Sequence, residues 1–213
     1  MDERATGLIL RVYPLSETSL IVHWLTREFG RIATVAKGAR RPKSPFRGKL
    51  DLFYLAEFSF ARSRRSELHN LREVSLRETH SAFRRDLEIL QQASYCAALV
   101  EQSTEKETPL PAIFELINGL LNYLPGQVAH PQSVLSFELK LLEELGLSPD
   151  LGKSKLTEGA RQLVKAFARE DWASLLRVKP SEAQLTEIRQ FLHGFLIFHL
   201  GKIPQGRGAV VNN

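Results

Sequence analysis

Seven basic residues fall between Arg31 and Lys49 with no acidic residue among them: Arg31, Lys37, Arg40, Arg41, Lys43, Arg47 and Lys49. Gly38, Pro42, Pro45 and Gly48 interrupt the same stretch, so regular helix or strand cannot carry it. A loop of this composition can drape along a phosphodiester backbone, its cations and free amides meeting phosphates without reading base sequence. A second basic group, Arg62, Arg64 and Arg65, sits in what reads as the turn of a hairpin. Tyr13, Trp24, Phe46 and Tyr54 are the nearby aromatics able to stack on bases, although such rings more often fill a core. Phe46 lies inside the basic segment and is the first choice among them.

Catalytic signatures are missing. The chain has no G-x-x-x-x-G-K-[ST], no G-x-G-x-x-G after a strand, no H-E-x-x-H and no G-x-S-x-G. One cysteine, Cys96, cannot build a thiolate metal cage or an internal disulfide, and among apolar helical neighbours it reads as core filler. The six histidines are scattered; His193 and His199 are six apart, which puts them on nearly opposite faces of a helix. Glu143 and Glu144 are adjacent and diverge on a helix. The chemistry left is binding, with no cofactor and no enzymatic turnover expected. Two binding readings follow from the charge: a nucleic-acid surface, or an adaptor loop that docks an acidic protein partner. A basic loop that is merely solvated is the third.

The charge is uneven along the chain. Residues 1–80 hold 15 Lys and Arg against 9 Asp and Glu, net +6, whereas residues 81–213 hold 14 against 15. The polyanion-binding face is therefore expected in the front part. With 43% apolar and 25% charged residues the composition is that of a globular protein. No apolar run approaches the ~18 residues of a membrane span. The opening MDERATG is acidic and polar where a secretory leader would be basic and then apolar. An intracellular, cytoplasmic protein without membrane contact is expected.

Elements able to position these cations can be read from the pattern. TGLILRVY, SLIVHWLT, RIATVA, LFYLAEFSFA and ELHNLREVSL read as five short strands separated by turn signals, which indicates a small barrel or sandwich. From about residue 81 the apolar period becomes helical. Pro111 and Pro131 suit first helical turns, Thr157 and Ser181 suit N-caps, and Gly146 and Gly201 suit helix ends. The FLIFHL segment, residues 195–200, is apolar nearly all round and is expected to be buried centrally. The tail KIPQGRGAVVNN is expected to be loose. The fold class is thus α+β, with a β module over 1–80 and an all-α module over 81–213.

Three blocks carry a family resemblance: LILRVYPLSETSLIVHWLT, FGRIATVAKGARRPKS, and the RGKLDLF that follows. They are similar to the N-terminal domain of the RecO family of bacterial recombination mediators. FELKLLEELGLSPDL and FLHGFLIFHLGK resemble that family's helical domain. The resemblance spans most of residues 5–203. It implies an N-terminal five-stranded OB-fold barrel, in which the face of strands 2–3 and the loops 1–2 and 4–5 commonly hold oligonucleotides. It also implies binding of single- and double-stranded DNA, annealing of complementary strands, and help to RecA in displacing SSB from single-stranded DNA. RecR and the acidic C-terminal tail of SSB are the implied partners, the tail being expected in a groove where Lys or Arg adjoins apolar residues. Many members of the family carry a four-cysteine zinc module after the position of LGLSPDL. Here LGLSPDLGKSKLTEGARQL has no cysteine, so zinc is not carried over.

Overall fold

The computed structural model describes residues 2–212. Five strands form a closed barrel: β1 (Asp2–Pro14), β2 (Leu20–Thr26), β3 (Gly30–Ala36), β4 (Leu55–Ala61) and β5 (Leu68–Glu78). Their order around the barrel is β1-β2-β3-β5-β4. Every pairing is antiparallel except β3 with β5, which run parallel through Ala33↔Leu68 and Val35↔Asn70. This is the OB-fold connectivity. β1 is longer than its apolar pattern suggests because it serves two neighbours. Residues 2–8 pair with β4 and residues 7–14 with β2, with an irregularity between Ile9 and Arg11. A bulge there increases the local twist and lets one strand turn the corner that closes the barrel.

Alternation supplies the barrel core. Val22 and Trp24 of β2, Ile32 of β3, and Phe58 and Phe60 of β4 are buried. The Trp24 indole N–H donates to Thr34 Oγ1 at 2.8 Å, which satisfies its one polar atom. Its ring stacks on Phe58 with centroids 4.0 Å apart. Gly7 is required beside this pair, since a Cβ there would stand 2.8 Å from the Phe58 ring.

The chain divides into two compact units. One contains the barrel to Ser81 together with Thr104–Phe114; the other contains Ala82–Ser103 and the chain from Glu115 onward. The helices are α1 (Leu87–Ser103), α2 (Pro111–Tyr123), α3 (Pro131–Glu144), α4 (Glu158–Arg169), α5 (Trp172–Leu175), α6 (Glu182–Leu200) and α7 (Arg207–Val211). Their ends are where local chemistry puts them. Pro111 and Pro131 open α2 and α3, Thr157 caps α4, and Ser181 with Gln184 forms a capping box on α6. Gly146 (φ 72) follows α3, and Leu147 N–H returns to Leu142 O at 2.8 Å in a Schellman-type end.

Two expectations fail in the helical unit. The tail is not loose: residues 207–211 form α7, with Arg207, Val210 and Val211 buried. Arg207 makes a two-pronged ion pair with Glu138 of α3, Nε to Oε1 at 2.7 Å and Nη2 to Oε2 at 2.8 Å. Tyr95 of α1 donates to the same Glu138 Oε1 at 2.6 Å. The FLIFHL segment is not central either. Leu185, Ile188, Leu192 and Leu196 make a single buried stripe, while Phe198 stays 82% exposed and Ile197 43%. One helix face has neighbours, and the apolar residues of the opposite face do not.

Candidate nucleic-acid interface

The basic loop that follows β3 is a chain of tight turns. Successive amides return to carbonyls three residues back: Arg41 to Gly38, Ser44 to Arg41, Arg47 to Ser44 and Lys49 to Phe46, at 3.0–3.2 Å. Gly38 (φ 68) and Gly48 (φ 71) supply the left-handed conformations this path needs. Two apolar residues pin the loop to the barrel: Ala39 is 9% exposed and Phe46 6%. Phe46 therefore belongs to the barrel core and is not an exposed stacking platform, which corrects the reading of it as the first-choice base contact. The tether also keeps the cations outward. Lys37, Arg40, Arg41, Lys43 and Arg47 are exposed, and Lys49 is half-buried.

Their hydrogen bonds go to neutral carbonyls. Arg40 donates to Ser16 O (3.2 Å), Arg47 to Pro42 O (3.2 Å) and Lys49 to Val74 O (3.1 Å). The Arg40 amide also meets Thr18 O at 3.0 Å, which ties the loop to the β1–β2 turn. No ion pair neutralises any of these six cations among the described residues. Arg64 and Arg65 in the β4–β5 turn are likewise exposed and unpaired.

Arg31 and Arg62 are engaged elsewhere. The segment 104–108 lies alongside the start of β3, with Glu107 N–H on Arg31 O at 2.9 Å and a parallel bridge between Arg31 and Lys106. Arg31 Nε donates to Thr104 Oγ1 at 2.8 Å and its guanidinium also meets Thr104 O. Arg62 forms a two-pronged contact with Glu3, at 2.9 and 3.2 Å, and a further ion pair with Glu107. The bond to Arg62 holds the Glu3 carboxyl below its ordinary range. Sequence inspection missed Glu3 and Glu107 because each lies more than forty positions from Arg62. Gly30 allows the segment to approach so closely: a Cβ there would stand 1.9 Å from Thr108 O.

His69 sits at the centre of this clasp. Its ring is buried and stacks on Phe60 at 5.3 Å. Nδ1 accepts from Ser63 N–H (3.3 Å), so the proton of the neutral ring lies on Nε2, 3.4 Å from Glu107 Oε1. Burial lowers the His69 pKa; Glu107 and Glu3 oppose that shift, and Arg62 reinforces it. A histidine held neutral in the folded state binds fewer protons than its unfolded counterpart, whose pKa is about 6.5. Barrel stability is therefore full above that value and falls as the pH drops through it. Urea midpoints measured at pH 7.5 and 5.5 should fall for the natural protein and fall less for His69→Gln. Equal falls would show that His69 does not carry this dependence.

The two basic groups lie toward opposite ends of β3. The loop departs from Ala36, whereas the parallel register of Ala33 with Leu68 places residues 62–67 near the start of that strand. A seven-residue strand is about 20 Å long. Between the two groups runs the outer face of β2–β3, with Ile21, His23, Ala33 and Val35 half-exposed. Tyr13 of β1, 36% exposed, meets His23 edge-on at 5.1 Å on this face. Of the four candidate aromatics Tyr13 is the one left accessible, since Trp24 and Phe46 are buried and Tyr54 is half-buried. The pairing of Arg11 with His23 and Tyr13 with Ile21 is what brings Tyr13 and His23 together.

This arrangement of a closed OB barrel with a basic loop and an aromatic face has relatives. The family profile described as Recombination protein O N terminal matches residues 1–80, and Recombination protein O C terminal matches residues 84–154. A protein of Exiguobacterium sibiricum named DNA repair protein RecO is 30% identical over 211 residues, covering 95% of this chain and 82% of its own length. The chain belongs to the RecO family. A Rhodopirellula baltica protein of the same name is 34% identical over 143 residues, covering 67% of this chain and 53% of the relative. A Listeria monocytogenes RecO is 32% identical over 152 residues, covering 71% of this chain and 58% of the relative. The matched region thus spans little more than half the length of the latter two.

The zinc module seen in many RecO proteins does not fit the residues here. Cys96 is buried in α1, where burial pushes its thiol pKa well up, and no group of three or more possible ligands converges among the described residues. The chain after α3 passes instead through a short turn at Leu151–Lys153, capped by Asp150, into α4.

Proposed function

We propose that this RecO-family chain is a DNA-binding recombination mediator of DNA repair, acting without enzymatic turnover in the cytoplasm. It binds single- and double-stranded DNA on the barrel, anneals complementary strands, and with RecR helps RecA onto SSB-coated single strands. One observation carries the reading: the loop cations Lys37, Arg40, Arg41, Lys43 and Arg47 are exposed, held on a pinned backbone and free of carboxylate partners. Cations in that state release counterions when phosphates arrive. The path runs from this loop over Tyr13 and His23 to Arg64 and Arg65. Neutralising two strands at once lowers their mutual repulsion, which is the physical requirement for annealing.

The acidic SSB tail, which ends in a hydrophobic residue and a carboxylate, suits a cavity of about 440 Å³ in the helical unit. Leu176 (54% exposed) and Val128 (87%) adjoin Lys179 there, so an apolar seat and a cation stand side by side.

The deciding experiment is annealing of two complementary labelled oligonucleotides. The protein should accelerate it, and rising salt should abolish the acceleration. An acidic peptide that binds at ~0.1 M salt, where exposed charges are already partly screened, with no DNA binding under the same conditions, would favour the adaptor reading instead.

A further inference from the structure

The second half of α6 carries an apolar surface that nothing in the chain covers. At 3.6 residues per turn, Gln190, Phe191, Gly194, Ile197 and Phe198 fall on the side away from the buried stripe of Leu185, Ile188, Leu192 and Leu196. Phe198 is the most prominent of them, 82% exposed, with its ring edge-on to His199 of the same helix at 4.9 Å. Residues 190–200 contain no Asp, Glu, Lys or Arg. Adjoining exposed apolar residues on one face mark a contact site, whereas single scattered ones do not.

Gly194 is the second observation. Glycine disfavours a helix interior, so it is kept there where something must approach closely. The helical unit follows that rule elsewhere. A Cβ on Gly119 of α2 would stand 2.8 Å from the Trp172 indole nitrogen, and one on Gly159 of α4 would stand 2.8 Å from the Gln184 side chain. A Cβ on Gly194 would meet nothing within 4 Å. The close neighbour that explains the other two glycines is missing here from the chain itself. The face thus presents a hole at Gly194, between Gln190 and Phe191 on one side and Ile197 and Phe198 on the other. It also presents a knob, Phe198, one turn further along.

We propose that this face pairs with the same face of a second copy of the chain. A two-fold interface uses one patch twice, so the patch must carry both halves of each contact. Knob and hole on a single helix face meet that requirement. Antiparallel packing centred on Leu196 sets each Phe198 against the Gly194 of the other copy, and the missing side chain lets the two helices come close. With no charged residue from 190 to 200, like-charge repulsion does not oppose two identical faces, and the face offers no ion pair to an acidic or basic partner. Phe198 leaves on the order of 150 Å² uncovered. Two turns of helix from each copy stay below the ~1,200 Å² at the small end of stable interfaces, so the pair should come apart on dilution. The pairing does not depend on the DNA reading. Where that reading holds, a pair carries two basic loops, one for each strand to be annealed.

Sedimentation equilibrium of the full chain between ~1 and ~200 µM tests this, a range that brackets weak association. The mass should rise from that of one chain toward that of two and go no higher. Phe198→Ala should raise the dissociation constant at least tenfold, as for a central aromatic anchor. Gly194→Leu separates the two explanations of an apolar face. It makes the face more apolar but fills the hole. Leucine favours the helix and meets open space in the single chain, so Tm should hold or rise. Pairing should nevertheless weaken at least tenfold. Non-specific adhesion of apolar surface predicts the reverse, stronger association of Gly194→Leu. A natural protein that stays monomeric up to ~200 µM overturns the proposal. So does a mass that grows beyond two chains, and so does a Gly194→Leu variant that pairs as well as the natural protein. Oligonucleotide binding tests the DNA reading separately, and none of these results decides it.

Discussion

Replacing Lys37, Arg40, Arg41 and Lys43 together with alanine should weaken binding of single-stranded DNA several-hundredfold at ~0.1 M salt, with the difference fading toward 1 M. The size follows from counterion release. Each phosphate contact on a single strand contributes about 0.7 to the slope of log affinity against log salt, so four lost contacts flatten it by roughly 2.8. The four side chains are exposed and the loop is pinned by Ala39 and Phe46, so the barrel should fold as before. Arg62→Ala is the contrasting variant. Glu3 and Glu107 already neutralise that guanidinium, so the slope should hardly move. A salt titration of both variants separates exposed charge from net charge. If the fourfold variant keeps its slope and Arg62→Ala loses it, the loop is not the DNA surface.

Glu138→Ala or Arg207→Ala should each destabilise the helical unit by about 3–5 kcal/mol, because each leaves one buried charge without its partner. Glu138 is fully buried and Arg207 nearly so. Burial alone would lower the Arg207 pKa, but the two bonds it donates to Glu138 and the charge of that carboxylate, helped by Tyr95, outweigh it and the net shift is upward. Burial, reinforced by Glu138, raises the Tyr95 pKa far above its ordinary value, so the phenol stays a donor to the carboxylate. For a chain of this size a loss of 3–5 kcal/mol lowers Tm by roughly 6–20 °C. Calorimetry checks it. Replacing the pair together, Glu138→Leu with Arg207→Met, should recover most of the loss, since a well-packed apolar pair lacks the desolvation cost. A double variant as unstable as the single ones would show that the ion pair itself holds α7 down.

The two networks differ in what they do to charge. Arg207 and Glu138 lock the end of the chain onto α1 and α3. Glu107, Arg62 and His69 close a clasp on the barrel that neutralises Arg62 while leaving it exposed. In both, an arginine that looks available along the chain is held by a carboxylate distant in sequence. The basic loop escapes this because the acceptors its cations meet are backbone carbonyls, not acids.

Much of the molecule was legible in the amino-acid sequence. The strand positions, the helix ends at Pro131, Thr157, Ser181 and Gly201, and the cation-rich irregular loop all follow from interactions within a few residues. Alternation, capping and turn chemistry are local, and local chemistry survives folding. Contacts across long stretches of chain were not legible. Phe46 looked like a platform until the loop turned it into the barrel core. The tail looked loose until Arg207 met Glu138, 69 positions away. Arg62 looked free until Glu3 and Glu107 arrived from opposite directions along the chain. The sequence determined which groups are charged and where the backbone can be regular. Only the tertiary structure decided which of those charges still face water, because a charge is neutralised by whatever lies within a few ångströms of it, and sequence distance does not measure that.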